Sequence, residues 1–217
     1  MKGCMKAEVY KLLFNKFLYF SICLILFVSI VCYCAIEEEN RLHDWIYYFS
    51  FLFLFMVNFV VGSIISNEYS STLKDIIISI QNRRIIFITK VLSCILAIHL
   101  IFIIYVCAMF LSNNHIAFYI VVNQYIAVMQ HTLGLIGIAI FIKSFSALSI
   151  VTVILLCIYK EMSMLQGTGF MDVILKSTYN NQFSNMDSML LFNYVFLFIV
   201  VFSLGVGYYL FKYQDIK

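Results

Sequence analysis

Read for Asp, Glu, Lys and Arg alone, the chain separates into long apolar runs divided by short polar stretches. Runs without these four residues cover 17–36, 45–67, 91–142, 144–159 and 188–211. A helix rises about 1.5 Å per residue, so roughly 20 apolar residues cross a bilayer. The run 91–142 holds 52 residues, too many for one crossing, and the polar cluster Ser112, Asn113, Asn114 and His115 divides it. The pattern therefore predicts an all-α membrane protein with six transmembrane helices, near 17–36, 45–66, 91–111, 120–142, 146–160 and 189–211. The run 144–159, at 16 residues, is short for a crossing, and without it the end of the chain would fall on the opposite side.

Two polar stretches carry a helical stripe of their own. In KAEVYKLLFNKF, Val9, Leu12, Leu13 and Phe17 recur at helical spacing, with Lys6, Glu8, Lys11, Asn15 and Lys16 on the other side. This predicts an interfacial amphipathic helix over 3–16, its apolar face in the headgroup boundary and its lysines toward anionic lipid. The plainer reading is a basic flank that only sets orientation. The stretch NEYSSTLKDIIISIQNRRIIFITK, residues 67–90, has 24 residues where helix connections usually need 2–8. Leu73, Ile76, Ile77 and Ile80 stand at i, i+3, i+4 and i+7, which suits a short amphipathic helix. Ser71 or Thr72 would cap it and Asp75 would lie in its first turns. An apolar stripe there suits a cytoplasmic protein partner, against the alternative of a solvated turn. Arg83, Arg84 and Lys90 would hold the start of the third span at the cytoplasmic surface.

Composition agrees with a lipid solvent. The 217 residues are 64% hydrophobic and 12% charged, about half the charge of a soluble domain. Proline is absent, which favours uninterrupted helices over the broken helices of many carriers. Charge placement sets orientation. With both termini cytoplasmic, Lys2, Lys6, Lys11, Lys16, Lys74, Arg83, Arg84, Lys90, Lys143, Lys212 and Lys217 lie inside, and Arg41, Lys160 and Lys176 outside, 11 against 3 of the 14 basic residues. Glu37, Glu38, Glu39, Asp44, Glu161, Asp172 and Asp187 gather outside. The first apolar run of 20 residues exceeds the roughly 7–15 of a signal peptide, so it is expected to be a retained span.

The search for chemistry returns little. No continuous basic face exists, so no nucleic-acid partner is expected. There is no G-x-x-x-x-G-K-[ST], H-E-x-x-H or G-x-S-x-G, and Gly167-Thr168-Gly169 follows no strand. The seven cysteines mostly fall inside apolar runs, where they pack as small apolar residues, and C-x-C at Cys32 and Cys34 is a weak metal signal. His43, His99, His115 and His131 are scattered, so neither a metal site nor a catalytic residue is expected. Polar residues inside the spans are Asn58, His99, Gln130, His131 and Asn193. Such residues face a bundle interior, as interhelical hydrogen bonds or as a substrate path. Gly134, Gly137 and Ala139, and Ser203, Gly205 and Gly207, form small-residue faces suited to close packing.

Six spans, an interfacial helix and a structured loop, with no nucleotide site, suit a transport subunit driven by another chain. The chain resembles the type-2 permeases of ATP-binding-cassette exporters over nearly its whole length. Its KAEVYKLLFNK stretch resembles their elbow helix. After the second span, Glu68, Thr72, Leu73-Lys74, Ile76, Ile77, Ile78, Arg83-Arg84 and Lys90 stand where that family shows a Glu, a Gly-Thr, an apolar helix, a turn and a Lys. Ser71 replaces the usual glycine, and Ile80-Gln81-Asn82 stands where a proline turn is common. The resemblance implies a cytoplasmic coupling helix on an ATPase subunit, involving Glu68, Thr72, Leu73, Lys74, Asp75, Ile76, Ile77, Ile80, Arg83 and Arg84. It also implies pairing with a second permease, ATP and magnesium held only by the ATPase, and export of a hydrophobic or antimicrobial peptide or immunity to it. The implied location is the plasma membrane of a bacterial cell. The rival expectations are a motor-independent carrier and a non-transporting scaffold or sensor.

Overall fold

The structure, a computed structural model, describes residues 2–36, 41–66, 83–112, 116–142 and 194–213, with 147, 149–151 and 154. The proposed coupling segment, most of the expected fifth span, and Asn193 lie outside the described residues. Six helices are defined: α1 Lys2–Leu13, α2 Lys16–Ala35, α3 Arg41–Ser66, α4 Arg83–Ser112, α5 Phe118–Ile142 and α6 Tyr194–Tyr213. The described residues contain no strand.

Among the described residues, three helices are long and apolar enough to cross a membrane: Lys16–Ala35, Leu42–Ile65 and Arg84–Ser112. The protein is thus a helical membrane protein. α2 shows the lipid solvent most directly. It buries Leu18, Ser21, Ile25, Ser29 and Cys32 on one narrow stripe, while Phe20, Phe27, Ile30 and Val31 on the rest of its surface stay exposed. A helix that is apolar on its exposed face is stable only where lipid replaces water. Hydroxyls on these helices are satisfied internally. Ser21 Oγ donates to the Phe17 carbonyl at 2.8 Å, Ser29 to Ile25 at 2.6 Å, and Thr132 to Val128 at 2.7 Å.

Three boundaries differ from the pattern of charge, and one is the start of α3 at Arg41, ahead of the expected 45. The interfacial stretch 3–16 divides, with α1 ending at Leu13 and Asn15 capping α2. The third span, expected at 91–111, lies within a helix that starts at Arg83. Lys90 does not end the apolar helix because its charge is met by another element.

Side-chain contacts give the helix directions. Phe17 stacks on Phe59 at 5.9 Å, so α2 and α3 run antiparallel from the Asn15–Ser63 junction. Trp45 and Phe49, near the start of α3, meet Tyr105 near the end of α4 at 6.3 and 5.0 Å. Tyr105 in turn reaches Gln124 near the start of α5. α5 and α6 instead run parallel: Ser203 lies over Gly134 and Gly137, and Gly207 over Gly137. Phe87 contacts Tyr208 and Phe211 at 5.3 and 6.0 Å, so α6 ends beside the start of α4. α4 is the centre of this arrangement and packs against each of the other five helices.

The α5–α6 seam brings backbone onto backbone. Ser203 Oγ donates to the Gly134 carbonyl at 2.7 Å. A Cβ on Gly137 would collide with the Ser203 side chain and backbone, and one on Gly207 would lie 3.0 Å from the Gly137 Cα. Small residues allow this approach, and dispersion along it replaces the hydrophobic drive that lipid removes. A Cβ at Gly134 or Gly205 meets nothing within 4 Å. Gly137→Ala should therefore destabilise the chain by about 1–3 kcal/mol through overpacking, whereas Gly205→Ala should leave stability equal or slightly higher. Thermal melting of the detergent-purified variants checks the contrast, and equal melting of the two would contradict it.

Candidate functional site

The most distinctive chemistry lies where α1, α2, α3 and α4 meet. Glu8 is 7% exposed and Lys90 6% exposed, so both charges are buried. Lys90 Nζ donates to Glu8 Oε2 at 2.7 Å, and Lys11 Nζ to Glu8 Oε1 at 3.0 Å. Each carboxylate oxygen thus accepts from one ammonium. Lys11 stands one helical turn beyond Glu8 and is 45% exposed, so its pairing is the weaker, screened one. The Lys90 pair joins residues 82 apart in sequence and closes α1 onto α4. Burial raises the Glu8 pKa, but the charges and hydrogen bonds of Lys90 and Lys11 outweigh it and hold the carboxyl below its ordinary value.

Asn15 completes the junction. Its Oδ1 accepts from the amides of Phe17 at 2.9 Å and Leu18 at 3.3 Å, which satisfies two orphan donors at the start of α2. Its Nδ2 donates to Ser63 Oγ at 2.9 Å, and Ser63 Oγ donates to the Val60 carbonyl at 2.8 Å. One side chain therefore both starts α2 and fastens it to α3. A cavity of about 520 Å³ opens beside this junction, with Lys11, Lys16, Asn15 and Lys90 against Leu12, Phe14, Phe17 and Ile64.

A second polar region lies inside the bundle. Asn58 and His131, both expected as intramembrane polar residues, come together, with Asn58 Oδ1 3.3 Å from His131 Nε2. His99 is exposed and faces Tyr125, its Nδ1 3.2 Å from the phenol oxygen. Gln130 is half-buried, and its Oε1 meets no hydrogen-bond partner; Asn58 Nδ2 and Gln124 Nε2 are likewise unpartnered. Asn123 and Gln124 are buried, and neither stood among the expected intramembrane polar residues. The Tyr105 hydroxyl donates to Gln124 Oε1 at 3.1 Å, beside the Trp45, Phe49 and Phe53 rings.

Of the residues assigned to ATPase coupling, Arg83 and Arg84 open α4, and Arg84 is exposed. Glu68, Thr72, Leu73, Lys74, Asp75, Ile76, Ile77 and Ile80 lie outside the described residues. Lys90, expected with Arg83 and Arg84 at the start of the third span, lies about two turns into α4 and is buried against Glu8. Cys32 is buried and Cys34 exposed, so the C-x-C pair does not converge. Among the described residues, no three His, Cys, Asp or Glu side chains gather into a metal-binding group.

Comparison with protein-family models, with characterised proteins and with solved structures finds no match for this chain.

Removing one partner of a buried pair leaves an uncompensated charge. Lys90→Met should therefore destabilise the chain by about 3 kcal/mol, the low end of that range because Lys11 still faces Glu8. The double substitution Glu8→Leu with Lys90→Met should recover most of the loss, which melting of single and double variants reads directly. Because the Glu8 carboxyl is held below its ordinary value, its contribution is complete above the ordinary carboxylate range. That contribution is lost as pH falls through the depressed value, and a wild-type melt insensitive to pH throughout this acid window would contradict the pairing.

Proposed function

We propose that this chain is the membrane-spanning subunit of an ATP-driven exporter, moved by a separate ATPase and paired with a second permease. The observation that carries the reading is the position of α4. It starts at Arg83, immediately after the polar segment 67–82, and packs against all five other described helices. A push on that segment acts on a helix that touches every other described helix. Rigid helices with two packing arrangements are how such a push becomes a change of access.

In this reading the bundle has six crossings, with both termini and segment 67–82 in the cytoplasm. Its place is the bacterial plasma membrane. The parallel run of α5 and α6 supports the count, since the chain leaves α5 at one end of the bundle and enters α6 at the other. Lys11, Lys16, Arg84 and Lys212 lie at one end of the described helices, as cytoplasmic basic residues would. ATP and magnesium bind the ATPase. The cargo is hydrophobic or amphipathic, such as an antimicrobial peptide. The unpartnered amide atoms of Asn58, Gln124 and Gln130 would meet its polar groups within the bundle.

Copurification from native membranes tests this reading. A tagged chain should bring down a phosphate-loop ATPase, and Leu73→Asp or Ile76→Asp should reduce the yield at least about tenfold, as loss of a buried apolar anchor does. An ATPase retained at full yield by both variants would remove the docking assignment, and its absence from the wild-type preparation would remove the exporter reading.

A further inference from the structure

The cavity at the α1–α2 turn combines features that a helix junction does not need. Its volume of about 520 Å³ falls within the range of small-molecule sites, roughly 300–1,000 Å³. Three lysines and one glutamate line it, Lys11, Lys16 and Lys90 against Glu8, which leaves two positive charges (three minus one). Leu12, Phe14, Phe17 and Ile64 form its apolar wall. Its level is also defined: Lys16, on its lining, is the first residue of the membrane-crossing helix Lys16–Ala35. The cavity therefore stands at the boundary where phospholipid headgroups meet acyl chains.

We propose that this cavity binds one anionic glycerophospholipid, its phosphate held by Lys11 and Lys16 and an acyl chain laid along Phe14 and Phe17. The turn of Phe14 and Asn15 is what makes the two lysines neighbours, since Lys11 lies in the last turn of α1 and Lys16 opens α2. The Glu8 carboxylate is offset by the buried Lys90 ammonium at 2.7 Å, which leaves Lys11 and Lys16 as the two net positive charges facing the phosphate. Phe14 is 67% exposed and Tyr10 64% exposed, their rings 4.8 Å apart, and both line the cavity. Large rings exposed at this level give the acyl chain a way out to bulk lipid. A free phosphate would leave the apolar wall uncovered, which favours the intact lipid. The site rests on the membrane assignment and not on the exporter reading.

Native mass spectrometry of the full detergent-purified chain tests it, with dioleoylphosphatidylglycerol, dioleoylphosphatidylcholine and glycerophosphoglycerol as probes. The anionic lipid should bind about tenfold tighter than the zwitterionic one, and the tail-less headgroup should bind far more weakly. Lys16→Gln should lower affinity for the anionic lipid about fivefold, the size expected for one lysine near a membrane surface. Lys16→Arg should restore it, and Lys212→Gln, an exposed lysine at the same end, should leave it unchanged. Equal binding of the two lipids, or equal loss in the Lys16→Gln and Lys212→Gln variants, would reduce the site to diffuse surface attraction and overturn it. Binding of the tail-less headgroup as tight as that of the lipid would overturn the lipid assignment in favour of a phosphate site.

Discussion

The placement of the first helix on the hub helix α4 depends on the burial of one ion pair. Glu8 and Lys90 are each under 10% exposed, in a protein whose surroundings offer charge little solvation. An isolated charge there is costly, whereas a pair with short, well-directed hydrogen bonds is tolerated. The pair therefore acts as a constraint more than as a source of stability: neither residue can stay buried unless α1 lies on α4. Asn15 adds the second fastening, since the residue that caps α2 also holds Ser63 near the end of α3. Two polar contacts thus set where three helices begin or end relative to α4.

From that base the bundle is organised around α4. Aromatic rings from α3, α4 and α5 interlock around Tyr105 at one end, and Phe87 receives the end of α6 at the other. α5 and α6 pack through small residues with backbones nearly touching. A chain built this way has a closely packed pair of helices and a central helix that begins directly after a polar segment. The proposed exporter reading draws on this arrangement and on the loop's apolar spacing.

Much of this was legible in the order of residues. The charge-free runs located α2, α3, α5 and α6 but not α1 or the start of α4, and of the small-residue stripes Gly134, Gly137, Ser203 and Gly207 meet in one seam while Gly205 is exposed away from it. Spacing alone did not say that the stripes face each other or that their helices run parallel. Asn58 and His131 were visible as intramembrane polar residues, but their meeting depends on how α3 packs on α5. Glu8 was the hardest to read. Helical spacing places it with Lys6, Lys11 and Lys16 on the polar side of α1, and only the fold reveals that this side meets Lys90. Lys90 in turn looked like the last cytoplasmic charge before a span, because a lysine at that point usually ends in water. Gln124 carries no signal in the sequence, because its function, satisfying Tyr105, depends on a neighbouring helix.

The central claim is that the Glu8–Lys90 pair holds α1 on the hub helix, and hydrogen–deuterium exchange in lipid nanodiscs tests it most directly. In the Lys90→Met variant, the amides of α1 should exchange far faster than in the wild type, while those of the α5–α6 seam keep their protection. Unchanged exchange in α1 would show that the helix is held by something else, and would contradict the account.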